Sequence, residues 1–512
     1  MDLNQHILAV VEPAIEPTEV AIVDVTEEAK GGEKQTKTVG AVIPSIQLNG
    51  YVFGDKDIES CIINMEDKVP SVIMKLADRN KAFGSDFTPR DGDCVTVFIN
   101  SKNVDTFKTV HMDFEILDIS SETTLEDGYP EITVRGNAKI PRLFAEVCKE
   151  YPNGTSLDHL ELIARDLKLG LATNIDVTDD SMQRLQTYTP TSDFIQNIVD
   201  TSYVSDDAFQ RYYIDQYYYL NFIEVNRIFN SENSSLEDLQ DSFMTLPSSI
   251  SENPNTDETE DNIPTKLILS NHTNARGTSN YIGEYKLKNN SSAVSLANGY
   301  ERNVSYYDNN STDEGSKLLE FKIEALNSTN MGELEEPLKG RRGEDDYKEQ
   351  VKFKYMGRMN AGEDGLGNVH PGSLYTELNN VQNNAELDKM KLNIVLEEFN
   401  PTIYKYQKVP VLIYVYDSQK IEAMKAAKET KEKKGFKEAS IKGSDEGSVT
   451  NDEDPNQMID TFLSGYYVIE NINYKYTMED GMLQEVTLLR REWPSRLAGI
   501  TEENMKKDSA AK

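Results

Sequence analysis

The chain writes nearly the same strand–turn–strand twice. Residues 118–136 read DISSETTLEDGYPEITVRG and residues 471–490 read NINYKYTMEDGMLQEVTLLR. Glu126-Asp127-Gly128 meets Glu479-Asp480-Gly481 at an offset of 353, and Ile119 meets Ile472 at the same offset. One residue further along in register, Glu131-Ile132-Thr133-Val134 meets Glu485-Val486-Thr487-Leu488. Asp-Gly is a preferred tight-turn pair because glycine takes positive φ without steric cost. Strand alternation puts Ile132 with Val134, and Val486 with Leu488, on one face.

A second match fixes the scale of the repeat. Met74-Lys75-Leu76 meets Met390-Lys391-Leu392 at an offset of 316, and at that offset the β-rich run from Cys94 (CVTVFINS) meets the run from Pro410 (PVLIYVYD). The two offsets differ by 37 residues (353 less 316), so the second copy requires an insertion of about that size after Asp417. Residues 418–457 are the most biased stretch of the chain, Lys/Glu/Ala-rich and then Gly/Ser/Asp-rich, as expected of a loop insertion. The length mismatch falls on the one segment unfit for a core.

These matches give a mainly β fold with α+β insertions: two similar tube-like β-barrel domains in one chain. The expected order starts with an extended arm (1–43), the first barrel (44–136) and an α+β module (137–230). An acidic flexible linker (231–263) and a β/loop-rich module (264–375) lead to the second barrel (376–495), and a tail (496–512) closes the chain. Within 137–230, Pro141 opens an expected helix over RLFAEVCKE. Thr155-Ser156 caps the next, which Gly170 stops, and Ser192 caps a third over SDFIQNIVDTSYV. The Tyr-rich run 212–222 reads as strand, its aromatics as core. Strands are expected from residue 376 onward.

Charge narrows the partners. Acidic residues number 88 and basic residues 53, for a net charge of −35. Such a surface cannot neutralise phosphates as duplex binding requires. The cysteines Cys61, Cys94 and Cys148 fit no zinc spacing and read as free, mostly buried thiols of a reducing cytoplasm. The N-terminus has no secretion pattern, and the longest apolar run, Val409–Tyr416, is too short to span a bilayer.

Several stretches resemble the central baseplate hub protein of contractile-tailed bacteriophages, a family that also includes the N-terminal part of type VI secretion spikes. They are LDHLELIARDLKLGLATNIDVTDDSMQRLQTYTPTSDFIQNIV, YYIDQYYYLNFIEVNRIF, LYTELNNVQNNAELDKMKL and LLRREWPSRL. The 1–43 arm, the 231–263 linker and the insertion after Asp417 depart from that pattern. The resemblance implies a homotrimer whose two barrels per chain form a pseudo-six-fold ring. The implied partners are the tail tube hexamer, the central spike trimer and the surrounding baseplate wedge proteins. Genomic DNA would pass an acidic lumen without specific binding, and the protein would belong to the virion baseplate after assembly in the host cytoplasm.

No catalytic constellation, cofactor site or metal site stands out. His6, His111, His159, His272 and His370 are scattered, and there is no HExxH, GxSxG or P-loop. DNNSTDEGSKLLE (308–320) lacks the glycine and the terminal glutamate of a calcium loop, having Asp313 and Leu319 there. RRGEDD (341–346) reads as a surface ion-pair cluster, and Trp493 as a packing anchor. The chain is expected not to be an enzyme. The alternative is a tail-associated cell-wall hydrolase or a glycan-binding tail-tip module, with the tyrosines of 212–222 as its foothold.

Overall fold

The computed structural model describes residues 7–18, 42–66, 68–81, 83, 90–99, 109–123, 129–231, 267–269, 281–290, 302–308, 317–323, 352–356, 370, 372–396, 399–400, 403–415, 458–460 and 462–491. The arm contributes β1 (Leu8–Val11). The first repeat is β2 (Ser45–Leu48), β3 (Tyr51–Val52), β4 (Ile58–Asn64), β5 (Ser71–Ala77), β6 (Cys94–Ile99), β7 (Val110–Thr123) and β8 (Pro130–Ala138). An inserted module follows: β9 (Glu146–Gly154), α1 (Ser156–Asp166), β10 (Gly170–Thr173), β11 (Met182–Pro190), α2 (Thr191–Thr201), β12 (Gln210–Ile214), β13 (Tyr219–Glu224) and α3 (Val225–Phe229). Then come β14 (Leu267–Leu269), β15 (Ile282–Asn289), β16 (Arg302–Asp308), β17 (Lys317–Ile323), β18 (Lys352–Met356) and α4 (Ser373–Asp388). The second repeat is completed by β19 (Met390–Leu396), β20 (Lys408–Val415), β21 (Met458–Ile459), β22 (Gly465–Thr477) and β23 (Gly481–Leu489).

The fold is mainly β with α+β insertions, and its two β units have one plan. In the first, the antiparallel order is β4-β5-β8-β7-β6. In the second it is β15-β19-β23-β22-β20, again all antiparallel. Each strand takes the place of its counterpart. The units are not set apart: β22 pairs with β4, so both belong to one 14-stranded curled sheet. β14 and β15, expected in a separate module, join this sheet through β20 and β19. β16, β17 and β18 form their own small sheet.

Alternation decides which face is covered. Ile63, Met74, Leu76, Ile132, Val134, Leu392, Ile394, Val486 and Leu488 are buried in one continuous core that also contains α1 and α2 side chains. The opposite face carries cross-strand ion pairs, Lys75–Glu131 at 2.8 Å and Lys475–Glu485 at 3.5 Å, and at Val468 and Leu489 is buried in a second cluster with Phe209, Tyr213 and Leu387. Gly136 marks the bulge of β7 between Ile116 and Asp118. A Cβ there would stand 2.7 Å from Glu115 O, so the backbones approach too closely for any other residue.

The inserted module is organised by caps and a buried polar cluster. Thr155 caps α1 as expected, in a reciprocal box with Asp158. Asp180 accepts from Ser156 N–H (2.9 Å), from Ser156 Oγ and from Tyr203 N–H (3.1 Å). Arg184 donates to Ser156 Oγ (2.9 Å) and Thr201 Oγ1 (2.7 Å). Burial pulls its guanidinium down to about 10, against the opposing pull of Asp180, so it stays charged at neutral pH. His159 is buried beside it, with Nε2 2.8 Å from Pro152 O and Nδ1 without a hydrogen-bond partner. Burial holds the imidazole below its ordinary value, and Arg184 pushes the same way.

Five expectations are corrected. RLFAEVCKE is not a helix: its second half is β9, paired antiparallel with β11, where the alternating contacts of a ribbon override local helix propensity. α1 ends on Leu167 with Lys168 at positive φ, and Gly170 begins β10. α2 starts at Thr191 behind a Pro190 cap, two residues before the expected Ser192 cap. Residues 373–388 are a helix, not strand. Of the thiols, Cys61 is buried, Cys94 half-buried and Cys148 exposed.

Two outcomes follow from this packing. Leu488→Ala is expected to cost about 2–5 kcal/mol, the range for a truncated core leucine, read as a lowered urea midpoint at unchanged slope. His159 has a folded value below its unfolded 6.5, so the unfolded state binds the extra proton and its contribution to stability falls as pH drops through 6.5. The wild type should therefore lose more urea resistance than His159→Gln between pH 7.5 and pH 5.5; equal losses would refute the assignment.

Candidate functional site: the joint between the repeats

The residues that join the two units are ordinary strand residues, and their backbone does the joining. β22 and β4 run antiparallel with Asn473 opposite Asn64, Tyr474 opposite Ile63, Tyr476 opposite Cys61 and Thr477 opposite Ser60. Met478 N–H continues the ladder to Glu59 O at 3.1 Å. On the covered side Tyr474, Tyr476, Cys61 and Ile63 meet as core. Burial pushes the Cys61 thiol up to about 12, so it stays protonated and apolar there.

Three modules converge where this ladder ends. Met65 N–H donates to Asn473 Oδ1 (3.2 Å), and Lys405 Nζ donates to Met65 O (2.7 Å). Lys405 also stands over the Tyr213 ring (5.0 Å to the centroid), while Tyr213 Oη donates to Lys405 O (3.1 Å). Ile214 N–H donates to Lys68 O at 2.8 Å. The inserted module is thus pinned behind the joint at β12, touching the first repeat through Lys68 and the second through Lys405.

A second seam holds β12 to the late half of the chain. Arg211 donates to Tyr406 Oη (2.7 Å) and, through Nε, to Asn384 Oδ1 (2.8 Å), and lies 3.4 Å from Glu470 Oε1. Glu470 Oε2 pairs with Lys391 Nζ at 2.7 Å. Burial works against the Arg211 charge, but Tyr406 and Glu470 outweigh it and hold the group above its ordinary value. The arm adds a third tie. β1 pairs antiparallel with β10, and Thr18 donates from N–H (3.0 Å) and Oγ1 (2.8 Å) to Asp113 Oδ2 on β7.

The repeat residues read from sequence fall into one core rather than one pocket. Ile132, Val134, Ile472, Val486 and Leu488 are buried, and Ile119 packs against the same cluster. Gly481 closes its turn at φ 74°, beside Asp480, whose N–H donates to Thr477 Oγ1 at 3.0 Å. Asp127 and Gly128 lie outside the described residues, as do residues 418–457, the loop after Asp308, residues 341–346 and Trp493.

The ladders refine the sequence equivalences. Val134 lies between Met74 and Ile119, and Leu488 between Leu392 and Ile469. Met74 therefore corresponds to Leu392, not Met390, and Ile119 to Ile469, not Ile472. The first is a slip of two, which keeps every side chain on its own face and so escapes hydrophobic alternation; the second is a slip of three, across the bulge of β22 between Ile469 and Asn471.

Of the tyrosine stripe, Tyr212, Tyr213 and Tyr218 are buried, and Tyr217 and Tyr219 are half-buried. Among the described residues no group of three or more His, Cys, Asp or Glu is arranged to hold a metal ion, and no helix is long and apolar enough to cross a membrane.

No family model matches the chain, and no curated protein matches it. Solved structures do. A tail protein from Neisseria meningitidis aligns over 88% of this chain and 97% of its own at 10% identity, with a TM-score of 0.47. A 43 kDa tail protein of a Shewanella oneidensis prophage aligns over 88% and 99% at 10% identity, with a TM-score of 0.46. An E. coli type VI secretion component, described as similar in structure to bacteriophage T4 tail proteins, aligns over 88% and 79% at 8% identity, with a TM-score of 0.40.

Glu470→Gln tests the seam. It removes the one carboxylate shared by Arg211 and Lys391, at an expected cost of about 1–2 kcal/mol given their partial exposure, measured as a shift in the urea midpoint.

Proposed function

We propose that the chain is the structural hub of a contractile phage tail baseplate. Three copies form a ring of six quasi-equivalent β units that adapts a six-fold tail tube to a three-fold central spike. The observation that carries this reading is the repeated strand order within a single sheet. A closed ring must match the symmetry of each neighbour. A chain with two like units offers two equivalent contacts to a hexamer while remaining one of three towards a trimer. Joining the units through backbone ladders and a shared core also suits a part that transmits load.

On this reading the tube protein, the spike protein and the surrounding wedge proteins are the partners, and DNA passes through the ring without being held. The described ion pairs on the sheet, Lys75–Glu131 and Lys475–Glu485, mix both charge signs rather than presenting acids alone. The protein acts mechanically, not as an enzyme, in the virion tail after assembly in the host cytoplasm. Burial of Tyr212, Tyr213 and Tyr218 weighs against the hydrolase or glycan-binding reading.

Native mass measurement of the purified chain, alone and with tube and spike proteins, tests the proposal. A trimer that binds a tube hexamer on one side and a spike trimer on the other is expected. A chain that stays monomeric with both partners present would sink it.

A further inference from the structure

The N-terminal arm reaches two modules at once. β1 lies antiparallel along β10, with Leu8 opposite Thr173, Ala9 opposite Ala172 and Val11 opposite Leu171. Beyond it, Ala14 N–H (2.9 Å) and Ile15 N–H (3.1 Å) donate to Lys168 O, and Tyr219 Oη donates to the Glu12 carboxylate. Thr18 then crosses to β7 of the first repeat, where it donates twice to Asp113 and its carbonyl lies 2.8 Å from His111 Nε2. Val11 and Ile15 pack against the main core. The seat is fitted to this strand: a Cβ on Gly170 would stand 2.8 Å from Val11 O. Without an arm the seat would expose apolar core and the side of β10, so some arm has to fill it.

The connection from the arm back to the body is far longer than its own seat requires. Ser45 on β2 lies opposite Phe98, and Phe98 lies opposite His111 on β7. Neighbouring strands are about 4.8 Å apart, so β2 stands about 10 Å from the strand that holds Thr18. The chain leaves Thr18 and returns at Val42, three residues before Ser45, with 23 residues between. A segment of that length spans at most about 80 Å, several times the gap. A compact body of this chain length has a radius of gyration of about 24 Å, so the arm can reach an adjacent copy. We infer that in the ring residues 7–18 of each chain occupy the seat of a neighbouring copy, whereas an isolated chain fills its own, as seen here. This inference rests on the ring reading and names a contact between its copies.

Exchange loses no contact. The same ladder, the same bonds to Asp113 and the same packing of Val11 and Ile15 form whichever chain supplies the arm, and only the tether differs. In a monomer the tether keeps the arm at its own seat through effective concentration. In a ring each seat meets its own arm and a neighbour's. Each chain then gives one arm and receives one, so the exchange closes on itself in a cyclic trimer. An exchanged arm clasps both the inserted module and the first repeat of the copy that receives it, because the seat spans the two.

Cysteine pairing in the full chain tests this. Ala9 and Ala172 face each other on the ladder, and opposed strand residues stand within disulfide range. A Cys148→Ser background removes the exposed thiol. There, Ala9→Cys/Ala172→Cys should crosslink within one chain when dilute and monomeric. At assembly concentration the same variant should give covalent dimers and trimers after denaturation without reductant, and either single variant should not. Thr18→Val removes a hydroxyl bond to Asp113 and should raise the concentration at which the trimer half-dissociates about tenfold. If the native oligomer forms but its crosslinks stay within single chains, or do not form, exchange is wrong and the ring reading stands. If the chain remains monomeric with tube and spike proteins present, the ring reading fails and the exchange falls with it.

Discussion

A strand edge is a row of backbone donors and acceptors that must be paired, covered or left to water. In this protein the pairing of two such edges, β22 and β4, makes one sheet out of two units. The core behind them follows from that. Once the sheets are continuous their covered faces are continuous too, and side chains of both repeats and of the inserted module share one cluster. Lys405 and Tyr213 sit where the three parts meet, so the angle between the units is set by packing as well as by the ladder.

This arrangement divides labour between the two faces. One face packs against α1, α2 and residues of the inserted module. The other carries cross-strand ion pairs of the kind that add little stability, Lys75–Glu131 and Lys475–Glu485, and is packed by a second cluster where Val468 and Leu489 meet Phe209, Tyr213 and Leu387. The strands of both units form one continuous wall. The inserted modules can then vary behind that wall without disturbing it. The polar seam at Arg211 and Glu470 and the arm contact at Asp113 tie distant parts of the chain to that wall, which suits a protein whose proposed task is to hold shape under load.

Much of the fold was legible in the sequence because strands and caps announce themselves locally. The alternation of Ile132 with Val134 and of Val486 with Leu488 named the core faces, and Thr155 named the start of α1. Other features were not legible for equally local reasons. RLFAEVCKE has good helix formers but is held extended by its partner β11. The helix Ser373–Asp388 has a weak apolar stripe, because its buried positions include Thr376, Asn380 and Asn383. The Met74–Met390 match pointed to the correct strands and the wrong register. A two-residue slip leaves the pattern of faces unchanged.

The sequence by itself determined that the chain contains one β unit twice, where the length difference between the copies falls, and which side chains turn inward. Those properties are written in side-chain chemistry and its period. Only the tertiary structure decided that the two units merge into one sheet and that β22 meets β4. The physical reason is that edges are joined by N–H and C=O groups, which are the same in nearly every residue and leave no mark in the sequence.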